Sequence, residues 1–235
     1  KVLAREELIN LLKENAFTKP VFIRVNDAME AIGREDIDAI SPYQDQIEAI
    51  ILPKTQSFDF LATLAPMIDF SNKLVPLIET PRAIDTVTQI AAFKDVVGLF
   101  FGAADSSASL GCKLAWEPLL YARQKVVLAA AMYNLFTIDA PFFYMDDKEG
   151  LKKEAEAVKN LGFTGKAAIH PDQIDFINES FAPTSEEIAE GKKVLEEYQK
   201  SGGGAVKIDG QMVDEPIAEA MRLKISLGEE EENED

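Results

Sequence analysis

Cysteine and histidine are nearly absent from this sequence. Its 235 residues include one cysteine, Cys112, and one histidine, His170. A single cysteine excludes an internal disulfide framework and is typical of a reducing compartment, and without a neighbouring base it is better interpreted as an inert thiol. A Ser-His-Asp hydrolase would have to use His170. That residue directly precedes a proline at a predicted strand-to-helix junction, which favours a structural role.

Positive charge is scarce as well. The sequence has 24 Lys and Arg against 41 Asp and Glu, a formal net charge of −17. This balance argues against nucleic-acid binding, because a phosphate-binding surface needs clustered Lys and Arg. No apolar run approaches the roughly 20 residues of a membrane span, and the first residues show no signal-peptide pattern. We expect no nucleic-acid or membrane partner and a cytoplasmic location, with an organellar matrix as the alternative.

Short apolar or β-branched runs alternate with segments of helical period along most of the chain. With 47% hydrophobic residues, a chain of this length can bury a full-sized core. Six runs are nearly continuous in hydrophobicity, as in strands buried on both faces of a parallel sheet. The predicted strands are residues 20–26, 49–54, 73–79, 96–102, 136–142 and 166–170, and the clearest predicted helices are 80–93, 116–135 and 147–162. This alternation predicts an α/β fold with a parallel sheet.

Ionisable side chains gather at the carboxyl ends of the predicted strands. In chain order they are Arg24, Lys54, Glu79, Asp105, Asp139 and His170. In a TIM (β/α)8 barrel those ends converge on one mouth, whereas a doubly wound sheet binds its ligand at one crevice, usually beside a glycine-rich turn. Neither GxGxxG nor GxxxxGK[ST] occurs. We therefore predict a TIM (β/α)8 barrel, and since six strands are visible, the first two are expected upstream of residue 1.

The C-terminal part of the chain has a different pattern. Residues 182–200 predict a helix in which Thr184 and Glu187 have the spacing of a capping box. A glycine-rich break follows, and an Asp-Gly pair between two short apolar stretches predicts a hairpin. A last helix is predicted at 216–226. The predicted segments are a barrel at 1–181, a helix-hairpin-helix extension at 182–226 and a disordered acidic tail at 227–235.

Two acidic residues are candidates for a metal site. Glu79 and Asp105 end neighbouring predicted strands, so their carboxylates would stand close together and share one hard cation. Two carboxylates with open positions suit Mg²⁺, which keeps waters and takes further ligands from substrate oxygens. Small residues at 106–109 leave room for a substrate. Alternatively, Asp105 caps the following helix and Glu79 faces solvent, and spacing alone does not decide.

Three further charged residues are candidates for binding or catalysis. Arg24 lies on an otherwise apolar strand and needs an anion to justify its desolvation. A substrate carboxylate held by both edges of the guanidinium is one candidate, and an internal salt bridge is the other. Lys54 would serve the same anion or simply close a loop. Asp214, on the predicted hairpin, is either idle in solvent or leans over a barrel mouth, including that of a neighbouring subunit.

Six motifs together resemble the citrate lyase β-subunit-like family, within the wider group of HpcH/HpaI aldolases and malyl- and citramalyl-CoA lyases. In chain order they are FIRVN, ILPK, IETPRAI, FFGAADSSASLG, GFTGKAAIHPDQI and DGQMVDEP. The similarity covers residues 20–226, and six motifs in register are far more specific than any one alone. The resemblance implies a TIM barrel, usually a homotrimer, that cleaves or forms a carbon–carbon bond between a 2-oxo acid and an acyl thioester.

The resemblance also implies roles for single residues. Glu79 and Asp105 match the family's Mg²⁺ ligands, and Arg24 matches the arginine that holds the oxo-acid carboxylate. Asp214 is similar to the acid that reaches the next subunit's site and transfers protons. The implied substrate-binding positions are Arg24, Lys54, Gly102, Ala103, Ala104 and His170. An early Leu-Glu-Asp segment of the family has no counterpart here and is expected upstream.

The implied activity is that of a Mg²⁺-dependent carbon–carbon lyase. It would cleave a citramalyl-, malyl- or citryl-CoA type thioester into a 2-oxo acid and acetyl-CoA by a retro-Claisen reaction. The IHP junction at 169–171 favours a CoA enzyme over the β subunit of a multi-subunit citrate lyase that acts on an acyl-carrier thioester. A non-catalytic acyl-CoA or oxo-acid binding protein is a third alternative, against which the intact Glu79, Asp105 and Arg24 argue.

Overall fold

The chain divides into two units. The computed structural model describes residues 1–68, 70, 73–202, 204–208 and 210–234. The first unit comprises residues 1–173 and the second comprises residues 174–235. The predicted boundary lay at residue 181, so the helix at 174–181 belongs to the second unit instead of the first.

Six parallel strands form one sheet in the first unit. They are β1 Phe22–Arg24, β2 Ala49–Leu52, β3 Leu74–Ile78, β4 Gly98–Phe101, β5 Phe136–Asp139 and β6 Gly165–Lys166. Each strand pairs with the next one along the chain. Five of them lie within predicted ranges, and β6 overlaps the predicted range 166–170 only at Lys166. Every residue of β2 and β3 is buried. Near-continuous hydrophobicity is typical of strands such as β2 and β3, both of whose faces are covered.

The sheet curls so strongly that its first and fifth strands meet across the inner face. The rings of Phe22 on β1 and Phe136 on β5 lie 5.7 Å apart, edge to face. In a flat sheet, strands four positions apart would be separated by about 19 Å. Sequential order with right-handed crossovers places every connecting helix on the outer face. The sheet is therefore a curled half-barrel, and the described residues contain no strand that joins β1 to β6.

Side chains on the inner face form a core of their own. Ala49, Ile51, Val75 and Leu77 are buried against one another. Phe22 belongs to the same face, since it pairs with Ala49 in the register of β1 and β2. Partly buried residues of the later strands complete this core, namely Val97, Phe100 and Phe136. The inner face is thus packed below the carboxyl ends of the strands.

Helices and short turns connect the strands. The helices are α1 Val2–Lys13, α2 Ala31–Ile40, α3 Phe58–Leu64, α4 Pro81–Asp85, α5 Val87–Ala91, α6 Ala103–Leu110, α7 Trp116–Met132 and α8 Lys148–Leu161, with 3-10 turns at Ser41–Gln46, Ala65–Met67 and Pro171–Gln173. Two predicted caps are present. The Thr80 hydroxyl accepts the Ala83 amide at 3.1 Å, and Gly162 follows α8 with a φ of 105°.

The predicted helix at 80–93 is interrupted at Thr86. This residue has φ −99° and ψ 15° and separates α4 from α5. Its hydroxyl donates to the Arg82 carbonyl at 2.9 Å and to the Gln56 carbonyl at 3.1 Å. A threonine hydroxyl that bonds back to the preceding turn favours a bend in a helix, and the backbone bond from the Thr86 amide to the Arg82 carbonyl is kept at 3.0 Å.

The predicted strand at 166–170 is shorter in the structure. It ends at Lys166, and the Ala167 amide makes one further bond to the Asp139 carbonyl at 2.9 Å. Since β5 itself ends at Asp139, the following residues have no neighbouring strand to pair with, and residues 168–170 are exposed.

The described residues of the second unit form three helices and a hairpin. Its elements are α9 Ile174–Phe181, α10 Ser185–Lys200, β7 Val206–Ile208, β8 Gln211–Val213 and α11 Glu215–Glu234. The predicted capping box at Thr184 and Glu187 is present in both directions. The hairpin is antiparallel, with Gly210 at φ 91°, whereas Asp209 of the predicted turn lies outside the described residues. A small core joins helix and hairpin through Tyr198, Ile208, Val213 and Ala218.

Helix α11 continues to Glu234, where the sequence predicts a disordered tail from residue 227. Glutamate has a good helix propensity, and extending an existing helix requires no new nucleus. In the described part of the chain, none of the helices combines the length and the apolar character needed to cross a membrane.

Candidate functional site

Glu79 follows β3 on the inner face of the curled sheet. Side chains alternate along a strand, so Glu79 continues the row of Val75 and Leu77. It is only 4% exposed, so the alternative that it faces solvent is wrong. Its neighbour Gly102 must lack a side chain, because a Cβ there would lie 2.5 Å from the Glu79 Cβ. The carboxylate is thus held tightly at the end of its strand.

Asp105 is the third residue of α6, which follows β4. The residue that flanks this helix is Gly102, and no side chain caps the helix, so the alternative that Asp105 is the cap is wrong. A carboxylate in the first turn is favoured by the positive end of the helix dipole. The Asp105 side chain is 53% exposed. The Asp105 carboxylate is therefore more accessible to a ligand than the buried Glu79 carboxylate.

Lys54 connects the two carboxylates. Its ammonium nitrogen lies 2.6 Å from Asp105 Oδ1 and 3.4 Å from Glu79 Oε1. Its backbone amide also donates to Glu79 Oε1, at 2.8 Å. The hydrogen bond to Asp105 raises the pKa of Lys54, partial burial lowers it, and the charge of Glu79 raises it again, with a net increase. Both predicted metal ligands thus converge on one cationic group.

The donor set of this site fits a divalent magnesium ion. Both carboxylates face the same ammonium group, and hard carboxylate oxygens are the ligands that Mg²⁺ prefers. Within the described residues, no group of three or more His, Cys, Asp and Glu side chains is arranged for metal binding. A site built on Glu79 and Asp105 therefore leaves most coordination positions to water and substrate.

Arg24 ends β1 on the same inner face as the carboxylates. It pairs in register with Ile51, one of the buried inner residues, yet its own side chain is exposed. Among the residues that the structure describes, none forms a hydrogen bond or an ion pair with Arg24, so the predicted internal salt bridge is not found there. A cavity of about 540 Å³ is lined by Arg24, Lys54 and residues of α1 and α2. A cation with a free guanidinium beside a cavity of this size is suited to an anionic ligand.

The remaining predicted substrate-binding residues take different positions. Gly102 lies against Glu79. Ala103 is buried at 2% exposure, whereas Ala104 is exposed and its carbonyl accepts the Ser107 hydroxyl at 2.9 Å. His170 is exposed, and its Nδ1 accepts the Asp172 amide at 3.2 Å. Of these residues, Gly102 contacts a predicted metal ligand, whereas Ala103 packs in the core.

Asp214 lies in the second unit, between β8 and α11. Its side chain is half-buried and accepts the Ile217 amide at 3.4 Å, and its carbonyl accepts the Ala218 amide at 2.9 Å. It therefore begins α11 as a helix cap. The predicted role of this carboxylate in proton transfer stays a prediction.

Asp139, which the sequence grouped with the strand-end residues, belongs to a separate buried cluster. Its carboxylate accepts Arg123 Nε at 2.8 Å and Lys166 Nζ at 2.9 Å. Lys166 also donates to the Ala140 carbonyl at 2.6 Å and to Glu154 at 2.7 Å. The side chains of Asp139 and Lys166 have no exposed surface, so these two residues are closed to ligands.

A third charged cluster lies beside the cavity. Arg5 Nε donates to Asp36 Oδ1 at 2.7 Å, and the backbone amide and side-chain amide of Asn26 donate to Asp36 Oδ2. Burial alone would raise the pKa of Asp36, but the hydrogen bonds from Asn26 and Arg5 outweigh it and hold that pKa below its usual value. Nothing in the sequence pattern had linked Arg5 to Asp36, which are far apart in the chain.

The sequence pattern of the HpcH/HpaI aldolase/citrate lyase family matches residues 1–171. The chain belongs to this family of aldolases and lyases. It is 29% identical over 243 residues to the citrate lyase subunit beta of Haemophilus influenzae, covering 94% of this chain and 83% of that protein. It is 30% identical over 230 residues to the human mitochondrial citramalyl-CoA lyase, covering 87% and 67% respectively.

A solved structure has the same fold. The protein CitE from Mycobacterium tuberculosis, in complex with magnesium, acetoacetate and coenzyme A, superposes with a TM-score of 0.76 at 28% sequence identity. The match covers 88% of this chain and 78% of that one. This similarity confirms the α/β architecture and the predicted relationship to citrate lyase β-type proteins.

Proposed function

We propose that this chain is a Mg²⁺-dependent carbon–carbon lyase that cleaves a β-hydroxyacyl-CoA thioester into a 2-oxo acid and acetyl-CoA. The observation that carries the proposal is the convergence of Glu79 and Asp105 on one cationic position at the carboxyl ends of neighbouring strands. The family relationship supports it, as does the CitE structure that contains magnesium and coenzyme A.

Glu79 and Asp105 would hold the Mg²⁺ ion. When bound, the ion supplies a Lewis acid that lowers the pKa of a substrate hydroxyl and stabilises the negative charge that develops on its oxygen. The buried Glu79 keeps its position through the Lys54 backbone amide. The exposed Asp105 leaves the opposite side of the site open to substrate.

Arg24 would bind the terminal carboxylate of the substrate through its guanidinium, which has no ion-pair partner among the described residues. That contact orients the hydroxyl-bearing carbon next to the metal ligands and fixes which bond breaks. As the hydroxyl proton passes to the Asp214 carboxylate of a neighbouring subunit, the hydroxyl oxygen becomes the carbonyl oxygen of the oxo acid. The bond between the hydroxyl-bearing carbon and the α-carbon of the thioester breaks, and its electron pair passes to the α-carbon as the thioester enolate. A proton must then reach that carbon, and Asp214 of a neighbouring subunit is the proposed donor.

The direct test is to incubate the full chain with Mg²⁺ and malyl-, citramalyl- and citryl-CoA and to measure the oxo acid released. The proposal predicts turnover of at least one thioester, abolished by a chelator and strongly reduced in Asp105→Asn. Absence of oxo acid from every CoA thioester would contradict it.

The β subunit of a citrate lyase is the second candidate, favoured by the similarity to the Haemophilus influenzae protein. It predicts turnover of a citryl group on an acyl carrier protein and none on CoA. We propose the CoA enzyme first because of the IHP junction at 169–171. The same assay with both thioesters separates the two candidates.

We further propose that the protein is a homotrimer and works in the cytoplasm or in an organellar matrix. An oligomer is required if Asp214 serves a neighbouring site, because each active site would then combine residues of two subunits, and the trimer is the state that the family resemblance implies. Light scattering coupled to gel filtration tests it directly, and a monomer that is fully active would contradict it.

A further inference from the structure

Lys54 holds Glu79 with two different groups. The backbone amide and the side-chain ammonium of Lys54 both point at the same atom, Glu79 Oε1, at 2.8 and 3.4 Å. The amide is fixed by the main chain, which adopts a left-handed conformation at Lys54 with φ 58°. If the ammonium moved away, the amide would still hold the carboxylate. The hydrogen bond from the backbone amide is fixed by the main chain, whereas the ion pair from the side chain can break when the side chain changes rotamer.

The ammonium of Lys54 stands where a shared cation would stand. It lies 2.6 Å from Asp105 Oδ1 while still contacting Glu79. A magnesium ion requires ligand oxygens at about 2.0–2.1 Å, so the ion and the ammonium cannot occupy the gap between these carboxylates together. Two positive charges at such short range would also repel each other strongly.

Lys54 has room to leave this position. Its side chain is 45% exposed, and it lines the cavity of about 540 Å³ that Arg24 also lines. Lys166 provides the contrast, because it is fully buried and donates to three different oxygens. An ammonium in the position of Lys166 is a fixed part of the fold, whereas that of Lys54 is free to exchange one partner for another.

We propose that Lys54 is a tethered counter-ion that occupies the metal position in the ion-free protein and is displaced into the cavity beside Arg24 when Mg²⁺ binds. This inference rests on the proposed assignment of Glu79 and Asp105 as metal ligands. In the displaced position, Lys54 and Arg24 line one cavity with two cations. Metal binding would then prepare the site for an anionic substrate.

The first test is calorimetric titration with MgCl₂, without substrate, of the full chain and of Lys54→Met. Removing the competing ammonium should tighten Mg²⁺ binding by about three- to tenfold, the size of effect expected for one partly exposed ion pair. Lys94→Met is the matched control, since it removes the same charge just before β4, at the opposite end of that strand from Asp105. The control should bind Mg²⁺ like the unmodified chain.

The second test needs no variant and therefore does not depend on folding of Lys54→Met. Lysines of the unmodified chain are acetylated with and without MgCl₂, and each site is quantified by mass spectrometry. Acetylation of Lys54 should rise with Mg²⁺, while that of Lys94 should not change. If the chain binds Mg²⁺ but Lys54→Met binds it no more tightly, or if Lys54 acetylation is unaffected, the counter-ion role is refuted and the metal site stands. If the unmodified chain binds no Mg²⁺, the proposed metal site itself fails.

Discussion

Two groups of charged side chains lie at the carboxyl ends of neighbouring strands. They have similar composition but differ in solvent exposure. One joins Asp139 to Lys166 and Arg123, and both Asp139 and Lys166 lack any exposed side-chain surface. The other joins Asp105 to Lys54, with side chains 53% and 45% exposed. In the first, Asp139 and Lys166 are closed to solvent, although Arg123 Nη1 is buried with no hydrogen-bond partner among the described residues; the second is open on one side. Accessibility, and not the residue types, separates a structural ion cluster from a candidate site.

Strand alternation explains why the two groups separate. Glu79 continues the inner row of β3, together with Val75 and Leu77. Asp139 lies one residue beyond Ile138, which pairs with the inner residue Phe100, so its side chain points to the outer face. There it meets Arg123, which is stacked between the rings of Phe101 and Trp116 at 5.1 and 4.8 Å. The outer face is covered by helices, and the inner face opens at the mouth of the half-barrel.

The largest expected effect is on the closed cluster. Asp139→Ala would leave Arg123 and Lys166 buried without their shared partner, which should cost about 3–5 kcal/mol of unfolding free energy. Asp105→Ala removes a carboxylate of the same type from the open group and should change stability by less than about 1 kcal/mol. Urea denaturation of both variants measures the difference. Equal destabilisation would contradict the distinction between the clusters.

Substitutions in the open group should affect turnover more strongly than they affect stability. Asp105→Asn keeps the size of the side chain but weakens a metal ligand, so we expect turnover to fall on the order of 10²–10³-fold. The substitution should leave the urea midpoint nearly unchanged. Steady-state rates with the thioester that the full chain cleaves provide the measurement, and an Asp105→Asn enzyme that retains Mg²⁺-dependent activity would show that the metal assignment is wrong.

Arg24→Lys tests whether Arg24, at the end of β1, belongs to the same ligand-binding site as the open group. A lysine keeps the charge but cannot form two parallel hydrogen bonds to a carboxylate, so binding of glyoxylate, pyruvate or oxaloacetate should weaken about tenfold. Affinity for Mg²⁺ should stay the same, because Arg24 contacts neither Glu79 nor Asp105. Calorimetric titration of both ligands is the measurement. Unchanged oxo-acid affinity would remove Arg24 from the substrate site.

The smallest expected effect is on the pH dependence of stability and involves Asp36. The exposed fraction of its side chain lies between those of the closed and the open group. Its pKa is lowered in the folded state, so it contributes stability that is complete above about pH 5 and is lost as the pH falls through the lowered value. Asp36→Asn should therefore cost about 1 kcal/mol at neutral pH and nothing at the acidic end. Urea denaturation at several pH values tests this. A stability difference that persists or grows in acid would contradict it.

Much of the fold could be predicted because its signals are local. The buried strands produce continuous apolar runs, and the caps at Thr80, Gly162 and Thr184 depend on neighbouring residues. The break at Thr86 could not be predicted, since its hydroxyl also bonds to Gln56, thirty residues away in sequence.

The candidate site could be predicted only in part. Glu79 and Asp105 were identified because strand-end carboxylates and the family motifs coincide. The strand-end pattern groups Asp139 with these two carboxylates. Alternation of side chains along each strand instead predicts that Asp139 lies on the outer face of the sheet and Glu79 on the inner face. The position of Lys54 between two carboxylates depends on a left-handed backbone and on contacts across 25 and 51 residues. No local pattern encodes such contacts.

The central claim is that Glu79 and Asp105 share one divalent ion. A crystal structure of the full chain grown with Mn²⁺, which replaces Mg²⁺ and gives an anomalous signal, tests this claim most directly. We predict one strong anomalous peak within bonding distance of both carboxylates, with the Lys54 ammonium moved away from Asp105. A peak elsewhere, or none while Lys54 remains between the two carboxylates, would contradict the account.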